Sequence, residues 1–248
     1  MIKSDFHIHT TYCDGKNTPR EIVEKALELG METLGFSEHA PTRAQSSSLT
    51  IEKARLYKEE INALKEEYRG RLNILCGIEQ DYFSEDSTEG YDYVIGSVHF
   101  FLLDGKYVPV DWDAEKLNSA ADRYFGGDIY ALAEAYFRTE SQVVEKTGAD
   151  IIGHFDLISK FIDCGFNIDV NSERYVSAWK KAADRLLTYG KPFEINTGAM
   201  SRGYRSSPYP NFQMIDYIKS RGGKLILTSD SHRAATLMYG FDKYEYLL

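Results

Sequence analysis

Leu225-Ile226-Leu227-Thr228-Ser229-Asp230-Ser231-His232 runs from an apolar stretch, through two hydroxyl residues, into an aspartate and a histidine two positions apart. Five other stretches end in the same residue types: His7-Ile8-His9, Ser37-Glu38-His39, Gly77-Ile78-Glu79, Ser97-Val98-His99 and Gly153-His154. All six histidines of the chain belong to this set. On a strand, residues i and i+2 point to the same face. His7 with His9, and Asp230 with His232, therefore each offer two side chains to one cation without distorting the backbone. Imidazole with carboxylate suits Zn, Mn or Fe, whereas Ca and Mg favour all-oxygen shells. The six histidines, Glu79 and Asp230 make eight donors, more than one tetrahedral or octahedral ion uses, so two or three divalent ions are expected.

The pattern around these stretches sets the fold. Apolar runs at 2–9, 33–38, 72–79, 93–99, 150–155, 192–196 and 225–229 read as strands. Helical periodicity fills most of the gaps. Thr18-Pro19-Arg20-Glu21 is a helix start, with Thr as N-cap, Pro at the first helical position and Glu three residues after the cap. Further helices are expected at 50–69, 128–147, 171–189 and 211–221, each followed by glycine. Leu103-Asp104-Gly105-Lys106 reads as a hairpin turn. Residues 42–48 read as either a lid or a plain surface loop, and 84–90 as a solvated loop. Alternating strands and helices argue for a parallel α/β fold. Seven strands with ligands at nearly every strand end favour a barrel, because a flat sheet would spread them over about 30 Å, whereas a barrel gathers them above one mouth.

The 248 residues carry a net charge of −9, which argues against a nucleic-acid surface. An anionic substrate remains compatible if metal ions reverse the local field. Three cysteines, Cys13, Cys76 and Cys164, show no CxxC spacing; together with no signal-like N-terminus or membrane-length apolar run, they read as a reduced, cytoplasmic protein with no membrane partner.

His7-x-His9, His39, Glu79, His99, His154 and Asp230-x-His232, in this order over nearly the whole chain, resemble the PHP (polymerase and histidinol phosphatase) family. Phe36-Ser37-Glu38-His39, Gly77-Ile78-Glu79-Gln80-Asp81, Ile95-Gly96-Ser97-Val98-His99, Ile152-Gly153-His154-Phe155-Asp156 and Glu194-Ile195-Asn196-Thr197-Gly198 resemble its bacterial members acting on histidinol phosphate. The stretch Pro208-Tyr209-Pro210 leading to Gly222-Gly223 adds to the likeness. The resemblance implies a single domain over residues 1–248, a distorted (β/α)7 barrel with a trinuclear site. By motif, His7, His9, Glu79 and Asp230 would hold the first ion. Glu79 would bridge to a second, completed by His99 and His154. His39 and His232, with Asp14 where relatives often have histidine, would hold a third. Lys160 stands where some relatives place a phosphate-binding arginine. Arg202 and Arg205, in the loop after Asn196, are expected to meet the phosphate or the rest of the substrate.

The activity so implied is hydrolysis of L-histidinol phosphate to L-histidinol and phosphate, a step of histidine biosynthesis. The nucleophile would be a hydroxide bridging two metal ions, with Glu79, His39 and Asp14 as the catalytic residues. Three other readings fit the same scaffold: a phosphoesterase for nucleotides, phosphotyrosine or another small ester, a hydrolase of C–N or C–O bonds, and a non-catalytic metal-binding module. The intact ligand set favours an enzyme, and a phosphate-ester panel separates the phosphatase readings.

Overall fold

A computed structural model describes residues 2–248. Its elements, in chain order, begin with β1 (Ser4–Asp5), α1 (Pro19–Glu28), β2 (Thr33–His39), α2 (Ile51–Glu67), β3 (Asn73–Asp81) and β4 (Tyr93–Ser97). A hairpin of β5 (Phe100–Leu103) and β6 (Lys106–Pro109) follows, then α3 (Ala114–Phe125), α4 (Ile129–Glu140), α5 (Val143–Thr147) and β7 (Ile151–Ile152). The chain continues through α6 (Glu173–Leu187), β8 (Phe193–Asn196), α7 (Gly198–Ser201), α8 (Phe212–Ser220), β9 (Leu225–Thr228) and α9 (Phe241–Tyr244).

Seven strands pair in parallel in the order β1-β2-β3-β4-β7-β8-β9, and the antiparallel hairpin stands apart. The ring closes through a parallel bridge between Ile8 and Ser231, where His9 N donates to Ser231 O at 2.8 Å and Ser231 N to His7 O at 3.0 Å. The fold is thus a nearly closed, distorted (β/α)7 barrel.

Local sequence explains the elements. Thr18 and Glu21 form the capping box of α1, with Pro19 in its first turn, and Ile22, Val23 and Ala26 turn inward. They join Tyr57, Ile61 and Leu64 of α2 against the apolar faces of β2 and β3. On the opposite side Tyr136, Phe137, Tyr175 and Trp179 of α4 and α6 pack over β7 and β8. Inside the ring, Tyr93 donates its hydroxyl to Phe6 O at 2.6 Å and Phe36 O at 2.9 Å, and with Ile95 and Ile151 it forms an apolar floor.

Three expectations change, one being the run 150–155, which keeps regular strand only at Ile151–Ile152. The run 2–9 forms only two residues of regular strand, because the buried Asp5 carboxylate takes over: it accepts from Ser229 N at 3.0 Å, Met238 N at 3.3 Å and His7 N at 3.4 Å. The helix expected over 128–147 divides at Ser141-Gln142 into α4 and α5. The helix α3 is an addition; Asp113 caps it by accepting from Lys116 N, and Gly126 ends it in the left-handed region. None of the helices is long and apolar enough to cross a membrane among the described residues.

Candidate metal centre

The C-terminal strand ends carry the histidines and carboxylates to one point. Glu79, in β3 and essentially buried, lies at the centre. Its Oε2 is 3.3 Å from His7 Nε2, 3.5 Å from His9 Nε2 and 2.8 Å from His39 Nδ1. Its Oε1 is 3.4 Å from His99 Nε2 and 3.1 Å from His154 Nε2, and accepts from Ser97 Oγ at 2.7 Å. One carboxylate therefore faces five imidazoles, divided between its two oxygens. Asp230 approaches from the closing edge, with Oδ1 3.5 Å from both His9 Nε2 and His232 Nδ1 and 3.9 Å from His7 Nε2. Asp14 completes the outer side, 3.3 Å from His232 Nε2 and 3.7 Å from His39 Nε2.

Backbone close approaches set these positions. A Cβ on Gly198 would lie 2.7 Å from the Asp230 side chain, so only glycine lets that carboxylate turn inward. Asp230 itself has φ +45°, a left-handed conformation that Asp tolerates better than most residues and that recurs at functional sites. A Cβ on Gly15 would meet His9 O at 2.4 Å. The Asp14-Gly15 pair is therefore a loop pressed onto the strand end, which carries Asp14 to the site.

Outer hydrogen bonds aim the rings. Glu194 Oε1 lies 2.6 Å from His7 Nδ1, and its Oε2 accepts from His154 N at 2.9 Å and Asn196 Nδ2 at 3.1 Å. Asp81 Oδ2 lies 3.2 Å from His99 Nδ1 and accepts His99 N at 2.9 Å. A carboxylate on Nδ1 turns Nε2 inward, the usual support for a metal-ligating histidine. Glu194 and Asp81 were absent from the expected site residues. Asp81 was within reach of the sequence, since it shares a strand face with Glu79; Glu194 opens one of the motifs of the resemblance, but nothing local in β8 points to its partner His7.

Electrostatics follow the packing. Burial opposes charge on His7, yet Glu194, Glu79 and Asp230 raise its pKa well above the ordinary value. Burial also opposes ionisation of Glu79, but His7, His99 and His39 hold it well below the carboxylate range. His9 is pushed the other way, by burial and by His232 and His39.

The residues fit a group of cations. His9 Nε2 and Glu79 Oε2 are buried without a hydrogen-bond partner although they face one another's site, and buried polar atoms of this kind need a partner. The donors fall into overlapping sets: His7, His9 and Asp230; His39, Glu79 and His99; and His9, Asp14, His39 and His232, the donor atoms in each within 4.8 Å of one another. The nitrogen and oxygen chemistry suits two or three divalent ions such as Zn, Mn or Fe.

A cavity of about 230 Å³ opens over these donors. Lys160 and Arg202 line it, as expected; so do Gln45, Asp111, Leu157 and Tyr204, which the sequence did not single out. Lys160 Nζ donates to Asp111 Oδ2 at 3.2 Å and Asp111 O at 3.0 Å. Arg202 contacts Asp230 Oδ2 at 3.0 Å and His232 Nδ1 at 2.9 Å. Arg205, expected beside the substrate, does not reach the cavity. Its fully buried guanidinium donates to Ser159 Oγ at 2.7 Å and Asp156 Oδ2 at 3.4 Å and lies over the Tyr209 ring.

A distorted seven-stranded barrel whose mouth gathers imidazoles and carboxylates defines a multinuclear metal-dependent enzyme scaffold. The PHP domain model matches residues 5–198, and the chain belongs to the PHP family. It is 31% identical over 269 residues to a histidinol-phosphatase of Bacillus subtilis (strain 168), covering 98% of each. It is 28% identical over 233 residues to a probable histidinol-phosphatase of Schizosaccharomyces pombe, covering 86% of this chain and 74% of the relative. Among solved structures, a histidinol phosphate phosphatase of Lactococcus lactis, complexed with Zn, L-histidinol and phosphate, superposes with TM-score 0.74 at 22% identity, covering 99% of this chain and 92% of the other. At that identity the likeness speaks for the fold.

Proposed function

We propose that this chain is a metal-dependent phosphomonoesterase that hydrolyses L-histidinol phosphate to L-histidinol and phosphate. One observation carries the reading: a buried glutamate with five imidazoles around its two oxygens, beneath a cavity holding Lys160 and Arg202. Full-length relatives named histidinol-phosphatases support the substrate. The ligands run from His7 to His232, so residues 1–248 act as one catalytic domain.

His7, His9, Glu79 and Asp230 would hold the first ion, Glu79, His99 and His154 the second, and Asp14, His39 and His232 the third. When bound, the ions acidify the attacking water and screen the phosphoryl charge. The chain supplies the rest. Glu79, with one oxygen toward each histidine group, fixes the spacing of the first two sites. Lys160 meets the phosphoryl oxygens as a point charge and Arg202 as a planar fork. His39 and Asp14 stand at the outer side, so that the third ion they would hold lies near the departing alcohol.

Asp111 suits the organic half of the substrate. Of the four acidic residues lining the cavity, Asp14, Glu79 and Asp230 belong to the donor sets, which leaves Asp111. Burial raises its pKa, but Lys160 and His99 outweigh burial and lower it to about 2. Asp111 thus offers the cavity a carboxylate outside the donor sets, a counter-charge for the substrate's ammonium. The compact cavity favours a small ester.

Steady-state kinetics on metal-loaded protein test the reading. The kcat/KM for histidinol phosphate should exceed that for nucleoside monophosphates and phosphotyrosine by more than about tenfold, the weight of one charged contact. Equal or higher values for a nucleotide would transfer the assignment to that ester.

A further inference from the structure

A second cavity, of about 440 Å³, adjoins the metal centre on its outer side. It shares Asp14, Arg202, Tyr204 and His232 with the first and adds Lys16 and Arg233. Among the described residues, neither Lys16 nor Arg233 has a side-chain hydrogen bond, ion pair or ring contact, and both are exposed. Three cationic side chains thus border one hollow in a chain whose net charge is −9. Asp14 is the one carboxylate of this lining, so the three cations outnumber it, and a concave surplus of one sign focuses the field and raises the local concentration of the opposite ion.

Arg202 stands at the junction. It lines both cavities, with its guanidinium 3.0 Å from Asp230 Oδ2 and 2.9 Å from His232 Nδ1. Charge-assisted contacts from a guanidinium fork suit a phosphate-class anion.

We infer that Lys16 and Arg233, with Arg202 shared across the junction, form a second anion subsite beside the metal centre, which takes phosphate-class anions. The inference goes beyond the proposed reaction. The histidinol half of that substrate is cationic and does not suit this hollow, so the natural occupant is the phosphate product leaving the metal centre, or the second phosphate of a bisphosphorylated ester. Phosphate held there coexists with an ester bound at the metals.

The double variant Lys16→Ala/Arg233→Ala tests this with inorganic phosphate as the probe. Both positions are exposed and unpaired, and a thermal melt verifies folding. Metal-loaded wild type should bind two phosphates per chain by calorimetry. The variant should bind one, with the second weakened at least about tenfold. Phosphate should inhibit wild-type ester hydrolysis in a mixed pattern and the variant in a purely competitive one, a change that a structural role would not produce. A bisphosphate ester preferred over its monophosphate by wild type, and not by the variant, assigns the site to substrate; no such preference alongside mixed inhibition assigns it to product. One phosphate per wild-type chain, or two in the variant, overturns the inference. The stoichiometry needs no turnover, so it stands apart from the choice of ester.

Discussion

Glu194→Gln keeps the side-chain shape and removes one charge, and the structure specifies the consequence. Glu194 now accepts on both oxygens: Oε1 faces His7 Nδ1 at 2.6 Å, and Oε2 serves His154 N at 2.9 Å and Asn196 Nδ2 at 3.1 Å. Glutamine has one acceptor and one donor end. If its oxygen faces His7, its amide opposes two N–H groups and leaves buried donors unpaired, at about 1–3 kcal/mol each. If its amide faces His7, Nδ1 must accept, the proton moves to Nε2, and the inward nitrogen is blocked as a ligand. Either arrangement weakens the ion at His7. Loss of such an outer carboxylate costs about 10- to 100-fold in metal affinity, or about 1.4 to 2.7 kcal/mol. Chelator competition against the metal-loaded protein, with metal analysis by mass spectrometry, measures this. The variant should lose one class of ion first and retain the rest. A full complement of ions at wild-type affinity would refute the reasoning that Glu194 orients His7.

Arg205→Ala should act on stability rather than on substrate affinity. Breaking its buried pair with Asp156 is expected to cost about 3–5 kcal/mol, or about 6–20 °C in Tm, read by calorimetry. Lys160→Ala should do the reverse, raising KM for the ester with little change in Tm; an unchanged KM would remove Lys160 from the phosphate site. In the metal-free fold, burial disfavours charge on His99, but Glu79 and Asp81 raise its pKa to about 10 from 6.5. A raised imidazole contributes stability that is full below 6.5 and lost as pH rises through about 10. The metal-free Tm should therefore fall from neutral to alkaline pH, and metal affinity should rise over the same window. Zinc added in weak buffer near about pH 8 should release protons detectable with an indicator dye; uptake without release would contradict the raised value.

The strand ends were legible in the sequence because all six histidines fall there, but the pairs His7-x-His9 and Asp230-x-His232 lie past the regular strands β1 and β9, and Asp230 turns inward through a left-handed backbone (φ +45°) rather than through strand alternation. The seven strands and the capped helix at Thr18 followed from hydrophobic period and end signals. What escaped depended on tertiary partners. The helix α3 buries Leu117, Ala120 and Ala121, with Ala114, Tyr124 and Phe125 partly buried beside them, a face whose fully buried part is mostly alanine. Glu194 looks like an anomaly in an apolar strand until His7 is seen beside it, and Arg205 is a loop arginine until Asp156 is found beneath it. Lys160 could be placed at the cavity from the family resemblance, but its tie to Asp111 joins segments that only the fold brings together.

The barrel is fastened at Ile8 and Ser231 by a single bridge, and the metal donors straddle that junction, His7 and His9 on one lip, Asp230 and His232 on the other. A cation gripped by both lips would be a clasp on the ring, so that architecture and chemistry would share one fastening.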